Sequence, residues 1–366
     1  MRALLLREVG RPPELADLEL EGPREGEVRL RIEASGVCRS DLSVATGVLR
    51  SPVPVVLGHE AAGVVLEVGP GVTAPRPGDR VVVSLSPACG ECTFCREGRA
   101  NFCTEMIPGM VRSVLRDGST RLRKDGQPVH HQCGVASLAE EAVVDARCCV
   151  PVPDEVPLSR ACLLGCGVLT GYGAAVHAAE LGPGRSVAVL GCGGVGLAAV
   201  QGARLAGAEP IVAVDLDPGR LEVARDLGAT HAVQAGGDVR TAIRRIAPLG
   251  VHAAIEAIGR TDTIALAFEL LRPGGVAVAV GMPSARETVP IRVGGLFQER
   301  RLGGCVYGGG NPLEDLRVLL GLAARGELRL DPMVGFELPL EDAPRAFENL
   351  RRGVGLRQVV LPGGAR

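Results

Sequence analysis

The stretch Ser186-Val-Ala-Val-Leu-Gly-Cys-Gly-Gly-Val-Gly196 decides the fold. Its first five residues form a short, apolar, valine-rich run of the kind buried on both faces of a parallel sheet. The next six match G-x-G-x-x-G, and Gly194 to Ala206 reads as a helix. Asp215 closes the next apolar run, nineteen residues after Gly196. Strand, glycine turn, helix and acidic residue make a dinucleotide fingerprint. The loop Gly191-Cys-Gly193-Gly194-Val195-Gly196 lets the backbone approach a pyrophosphate seated on the helix N-terminus. Asp215 would accept hydrogen bonds from the adenosine ribose and repel a 2′-phosphate, which favours NAD over NADP. Arg220, five residues further on, softens that exclusion. A glycine-rich turn without a ligand would require all three context matches to be coincidence.

Outward from this loop the pattern alternates. Strands are expected over 186–190, 210–215, 251–258 and 276–280, and helices over 194–206, 218–227, 239–246 and 261–271. Short apolar strands alternating with helices imply an α/β, doubly wound parallel sheet covered on both faces. Before it, about 150 residues look β-rich and irregular, with runs at 28–32, 63–68 and 80–83 punctuated by Gly and Pro. After it, a helical run over 312–325 and a strand over 357–361 are too little for a further domain and are expected to return to the first. The division is therefore 1–166 with 307–366, and 167–306.

Composition agrees. At 366 residues the chain exceeds the size at which one core stops growing. With 46% hydrophobic and 22% charged residues it reads as globular. A net charge of −2 without a basic block gives no support to nucleic-acid or membrane-surface binding. No apolar run approaches the ~20 residues that span a bilayer, so a cytoplasmic location is the expectation. In that compartment twelve cysteines point to metal, catalysis or burial before disulfides.

Four of them lie in Cys89-Gly-Glu-Cys92-Thr-Phe-Cys95-Arg-Glu-Gly-Arg-Ala-Asn-Phe-Cys103, a C-x2-C-x2-C-x7-C spacing that suits tetrahedral zinc. A ferredoxin-type iron–sulfur run would need, after three intervening residues, a cysteine and then Pro; Arg99 and Ala100 stand there. A zinc held by four cysteines is coordinatively closed and therefore structural. An open site must come from elsewhere. Cys38 in GVCRSDL, His59 in GHEAAG and Cys166 in GCGVLTGYGAA are candidates, though each alone reads more readily as a buried residue.

Taken together, Cys38-Arg39-Ser40-Asp41, Gly58-His59-Glu60, the four-cysteine lobe, Gly165-Cys166-Gly167 through Thr170-Gly, and the glycine loop resemble the zinc-dependent medium-chain alcohol dehydrogenases nearly end to end. Residues 117–131 are similar to the long zinc-lobe segment of the branches that include the formaldehyde-oxidising enzymes. The resemblance implies a β-rich GroES-like catalytic domain, carrying the structural zinc lobe, plus a Rossmann NAD-binding domain. It implies two zinc ions per chain, one structural and one catalytic. The catalytic zinc would sit on Cys38, His59 and Cys166 with one place open, where it acidifies an alcohol whose carbon gives hydride to NAD. Ser40 stands where the family has a proton-accepting hydroxyl, Asp41 where a carboxylate orients the histidine, and Glu60 beside the metal. Arg39 and Arg357 align with contacts to the pyrophosphate, and Thr170 and Val195 with contacts to the nicotinamide.

Two positions depart from the pattern. Ser43 stands where many relatives have a histidine that passes the proton to solvent, which implies a slower relay or direct transfer from the ribose to water. Ile107 stands where formaldehyde-oxidising relatives carry an arginine. The implied substrate pocket is Leu49, Leu85, Pro108, Gln132, Cys133, Met282 and Val306, mostly apolar. An alcohol or aldehyde is the expected partner, with a thiol-dependent formaldehyde dehydrogenase and a non-catalytic NAD-binding relative as alternatives. The family further implies a homodimer or homotetramer formed by edge-to-edge pairing of the nucleotide-domain sheets.

Overall fold

The structure is a computed structural model that describes residues 1–363; residues 364–366, the end of the expected catalytic segment, lie outside the described residues. The chain divides into two units, Met1–Cys166 with Asn311–Arg366, and Gly167–Gly310. The crossing falls at Asn311 and not at residue 307. The reason is steric: Gly173 and Gly308 pack backbone to backbone, so close that a Cβ on Gly173 would lie 2.1 Å from the Gly308 oxygen. That contact keeps 307–310 with the second unit.

The second unit is built on strands β1 (Val187–Leu190), β2 (Ile211–Asp215), β3 (His231–Gln234), β4 (Val251–Glu256), β5 (Leu271–Ala279) and β6 (Arg301–Gly304). They are all parallel, in the order β3-β2-β1-β4-β5-β6. The connecting helices are α1 (Gly194–Leu205), α2 (Pro218–Asp226), α3 (Val239–Ile246) and α4 (Thr261–Leu270). The order reverses at β1 and β4, the switch point of a doubly wound sheet. β1 is buried throughout, and Ala188, Leu190, Val212, Val214, Ile243, Ala267, Phe268 and Ala277 share one core. Sequence periodicity missed β3 and β6. Both are edge strands, HAVQ and RLGG, and lack the apolar run that marks a central strand.

In the first unit, Glu27–Val37 is the central strand of a seven-stranded sheet. It pairs antiparallel with Glu60–Val68, Glu141–Asp145 and Arg357–Leu361. Alternate residues Val28, Leu30, Ile32 and Ala34 are buried, as the two-residue period of a strand requires. The expected late helix is present as Pro312–Ala324, and Arg357–Leu361 does return to the first unit. A second sheet carries Arg2–Leu6, Val55–Val56 and the hairpin Leu122–Lys124/Gln127–His131 formed by the long lobe segment. No single helix among the described residues is long and apolar enough to cross a membrane.

Register is what gathers the chemistry. Gly36 lies opposite Glu60 and Val37 opposite Gln358. Cys38 is the next residue of the central strand, His59 precedes Glu60, and Arg357 precedes Gln358, so three distant segments converge at one end of the sheet.

Candidate active site

Ligand atoms of Cys38, His59, Glu60 and Cys166 all lie within 4.8 Å of one another. Cys38 caps the short helix Arg39–Ala45 in extended conformation, φ −107° and ψ 156°. Asp41, three residues on, is fully buried and uses both oxygens. Oδ2 accepts the Cys38 N–H at 2.8 Å, and Oδ1 lies 2.7 Å from His59 Nδ1. With Nδ1–H donated to the carboxylate, the remaining lone pair of His59 is on Nε2. Burial alone would make His59 less basic, but Asp41 and the neighbouring Cys166 outweigh it and hold the imidazole well above its usual pKa. Cys38 is drawn well below the ordinary thiol range by a hydrogen bond from Cys166 and by His59. Two soft sulfurs and an oriented imidazole, jointly seeking positive charge, fit a zinc ion.

Turn chemistry sets His59. Gly58 has φ +96°, and a Cβ there would lie 2.5 Å from Leu138 N. Its N–H donates to Gln132 Oε1 at 2.8 Å and its carbonyl accepts Ser137 N–H at 3.0 Å. Gln132 is thus tied to the loop that presents His59, a contact that its expected place in the pocket does not reveal. Ser40 Oγ lies 3.8 Å from Cys38 Sγ.

Glu60 and Arg357 form a buried ion pair through Oε2 and the guanidinium. Gly36 makes room for it, since a Cβ there would be 2.0 Å from Glu60 Oε2. Burial raises the Glu60 carboxyl to about 7 against the opposing pull of Arg357. Arg357, expected at a phosphate, is only 7% exposed and already engaged, with Nε lacking a hydrogen-bond partner among the described residues. Arg39 is exposed and donates to the Leu350 carbonyl at 3.3 Å. The Glu60–Arg357 pair could be found in the sequence only by knowing the register of three strands.

The cluster Cys89, Cys92, Cys95 and Cys103 also brings its sulfurs within 4.8 Å. Backbone N–H groups point at sulfur, from Cys89 to Cys103 Sγ and from Cys92 to Cys89 Sγ, each at 3.4 Å. The backbone N–H groups of Thr104 and Cys95 pull Cys92 down to about 6, whereas burial pushes Cys95 up to about 12. Four sulfurs sharing one small volume cannot all ionise without a cation, and the donor set suits zinc. Phe94 and Phe102 pack at 5.7 Å, with Arg99 stacked 4.9 Å over Phe102. None of the described cysteines is disulfide-bonded.

In the second unit Gly191 takes φ +91°, and Gly196 packs on it so tightly that a Cβ would be 1.7 Å from the Gly191 oxygen. Gly193 caps α1 and faces open space. Val195 and Gly194 begin that helix, and Gly171 lies against it, a Cβ there being 2.1 Å from Val195 O. Asp215 ends β2 and accepts the Cys192 N–H at 2.6 Å and the Asp217 N–H at 2.9 Å. Arg220 reaches Asp217 at 3.8 Å. Thr170 lies in the helix Gly167–Gly173.

The expected pocket residues fall in several places. Leu85 and Cys133 line one cavity of about 40 Å³ in the first unit, together with Met106, Gly109, Val144 and Cys148. Leu49 instead packs against the core around Val44, Leu57 and Phe347. Pro108 belongs to the short helix Ile107–Arg112. Met282 and Val306 are exposed on the second unit, at 60% and 50%.

A GroES-like unit holding a Cys/His/Cys cluster and a sulfur lobe, followed by a doubly wound sheet with a glycine fingerprint, defines a zinc-binding dehydrogenase. Residues 24–154 match the alcohol dehydrogenase GroES-like domain, and residues 194–325 match the zinc-binding dehydrogenase family. An alcohol dehydrogenase zinc-binding domain protein from Burkholderia ambifaria is 35% identical, covering 99% of this chain and 98% of that one, with a TM-score of 0.93. Benzyl alcohol dehydrogenase from Acinetobacter calcoaceticus is 31% identical over 98% of each chain, with a TM-score of 0.92. A protein described as a zinc-binding dehydrogenase from Sinorhizobium meliloti 1021, bound to NADP, is 28% identical over 99% of each chain, with a TM-score of 0.82. The chain belongs to the zinc-dependent medium-chain alcohol dehydrogenase family.

Proposed function

We propose that this oxidoreductase reversibly converts an alcohol, aliphatic or benzylic, to its aldehyde or ketone, with NAD as hydride acceptor. The observation that carries the reading is the convergence of Cys38, His59 and Cys166 within 4.8 Å, with Ser40 Oγ 3.8 Å from Cys38 Sγ. Zinc held by those three side chains would supply Lewis acidity that lowers the pKa of an alcohol, and the nicotinamide would accept the hydride. Asp41 fixes the His59 tautomer. Ser40 accepts the alcohol proton, and Ser43 offers no imidazole to carry it onward. Glu60, paired with Arg357, balances charge beside the ligands. Cys89, Cys92, Cys95 and Cys103 hold a second, structural zinc.

The cofactor reading rests on Asp215, whose carboxylate at the end of β2 disfavours a 2′-phosphate; Arg220 and the NADP-bound relative are the counterweight. We assign the fingerprint loop, Val195 and Thr170 to the cofactor, and Arg39 and Arg357 to its pyrophosphate. The substrate class rests on the apolar character of Leu49, Leu85, Cys133, Met282 and Val306, the positions that the family resemblance gives to the pocket, and such residues discriminate chain length only weakly. A dimeric or tetrameric assembly is supported by β6, an edge strand exposed along its length, with Phe297 87% exposed just before it. A cytoplasmic location goes with a chain whose many cysteines are assigned to metal and to burial before disulfides.

The test is reduction of NAD and NADP by a panel of straight-chain, branched and benzylic alcohols, with and without low-molecular-weight thiols. Thiol-independent turnover with NAD is the expected result. An absolute thiol requirement would move the assignment to formaldehyde–thiol adducts, and no turnover on any alcohol or aldehyde would refute the enzyme reading.

A further inference from the structure

Glu256 is the last residue of β4 and is completely buried. It stands opposite Leu190, the last residue of β1, so it sits where the strand order reverses and at the carboxyl ends of the strands. Ligands of doubly wound sheets bind outside that edge, at that switch point. One carboxylate oxygen, Oε1, accepts three hydrogen bonds: Ile258 N–H at 3.0 Å, Gly259 N–H at 2.8 Å and the Thr263 hydroxyl at 2.7 Å. The other oxygen, Oε2, is buried without a hydrogen-bond partner among the described residues. An apolar residue here would leave two half-buried amides without their acceptor.

What these bonds hold is the floor of the glycine loop. Ala257 N–H donates to Leu190 O at 2.8 Å, and Ile258 covers Gly191 so closely that a Cβ on Gly191 would be 2.6 Å from Ile258 Cγ1. The backbone oxygen of Glu256 accepts Val280 N–H at 2.8 Å and Gly281 N–H at 3.0 Å. Gly281 in turn backs onto Gly259, a Cβ there being 2.1 Å from Gly259 N. Glu256 therefore ties together the segments that follow β4 and β5, and packs the first of them under the first fingerprint glycine.

We propose that Glu256 is a positioning residue for the dinucleotide: by fixing the turn at 257–260 against Gly191 it sets the affinity for the ADP moiety of the cofactor. The inference rests on the reading that the Gly191–Gly196 loop binds a nicotinamide dinucleotide. It acts through geometry, since the three bonds all fall on one oxygen that an amide could replace.

The test is calorimetric titration of the zinc-loaded protein with NAD and with ADP-ribose, alongside steady-state kinetics and thermal unfolding. Glu256→Ala should weaken both ligands by about tenfold or more and raise the cofactor KM in step, while kcat at saturating cofactor changes by less than about threefold. Glu256→Gln should recover affinity to within about threefold of wild type, because its amide oxygen accepts the same bonds. A cooperatively folded Glu256→Ala protein that binds within about twofold of wild type would overturn the proposal, as would a Glu256→Gln protein as weak as Glu256→Ala. Should Glu256→Ala not fold, Thr263→Val removes one of the three bonds from the half-buried start of α4. A loss of about threefold in affinity supports the proposal and unchanged affinity overturns it. Wild-type protein that binds neither NAD nor NADP refutes the dinucleotide reading, and this inference falls with it.

Discussion

His59 donates its ring Nδ1–H to Asp41 Oδ1 over 2.7 Å, and the same carboxylate holds the Cys38 amide through its other oxygen. One buried side chain thereby orients two of the three expected zinc ligands. Asp41→Asn must turn an amide N–H toward one of those two donors. Metal ligands that lose such support typically lose 10–100-fold in affinity. The expected outcome is protein that falls from about two zinc ions per chain to about one under a chelator that leaves wild type intact, read by elemental analysis. Equal retention of both ions would remove Asp41 from its assigned role.

The sulfur cluster should behave differently. Cys95 and its three partners pin the segment 89–103, which has little regular structure and few buried apolar residues of its own. Cys95→Ser should cost about 3 kcal/mol or more and lower the unfolding midpoint by roughly 6–12 °C, with activity lost in proportion to unfolded protein. Normal stability with abolished turnover would reverse the structural and catalytic assignments of the two clusters.

The proposed preference for NAD rests on Asp215. An amide in its place removes the charge and keeps one acceptor, for the Cys192 N–H, while the Asp217 N–H loses its own. Asp215→Asn should raise the NADP-to-NAD ratio of kcat/KM by about tenfold or more. A ratio that stays put would mean that discrimination lies with Arg220 or elsewhere.

His131 gives a pH signature away from the metal ligands. It is fully buried and its Nε2 accepts the Arg121 amide N–H at 3.1 Å, which requires a neutral ring. Burial, then the positive charges of Arg121 and His130, lower its pKa to about 3. The unfolded chain binds the proton near pH 6.5 and the folded chain does not. Stability from this group is therefore complete above about pH 6.5 and is lost as pH falls toward 3, at up to about 1.4 kcal/mol per pH unit. Denaturant unfolding of His131→Gln should show a shallower acid limb than wild type by that slope, and parallel limbs would contradict the assignment.

These residues also mark what the sequence disclosed. The alternation around Ser186–Gly196 was enough to read the doubly wound sheet, because central parallel strands are continuous apolar runs. Its edges β3 and β6 were not legible, being short of apolar residues and largely exposed. The four lobe cysteines could be named from their spacing, and Cys38, His59 and Cys166 from the family resemblance that their motifs carry; the fold brings each set within 4.8 Å. Their supports could not. Gly36 opposite Glu60, Arg357 against Glu60 and Gln132 on Gly58 depend on register across strands hundreds of residues apart, and Glu256 on the geometry of a turn. Arg357 is the clearest case: the family resemblance implies a phosphate contact, and the structure adds a buried carboxylate partner.

The central claim is that chemistry belongs to the dispersed Cys38/His59/Cys166 site and not to the dense sulfur lobe. Paired measurement of turnover, zinc content and thermal unfolding on Cys166→Ala tests it most directly. The expected result is cooperative unfolding close to wild type, about one zinc ion retained, and turnover reduced by about a thousandfold or more. Turnover within about tenfold of wild type in that protein would contradict it.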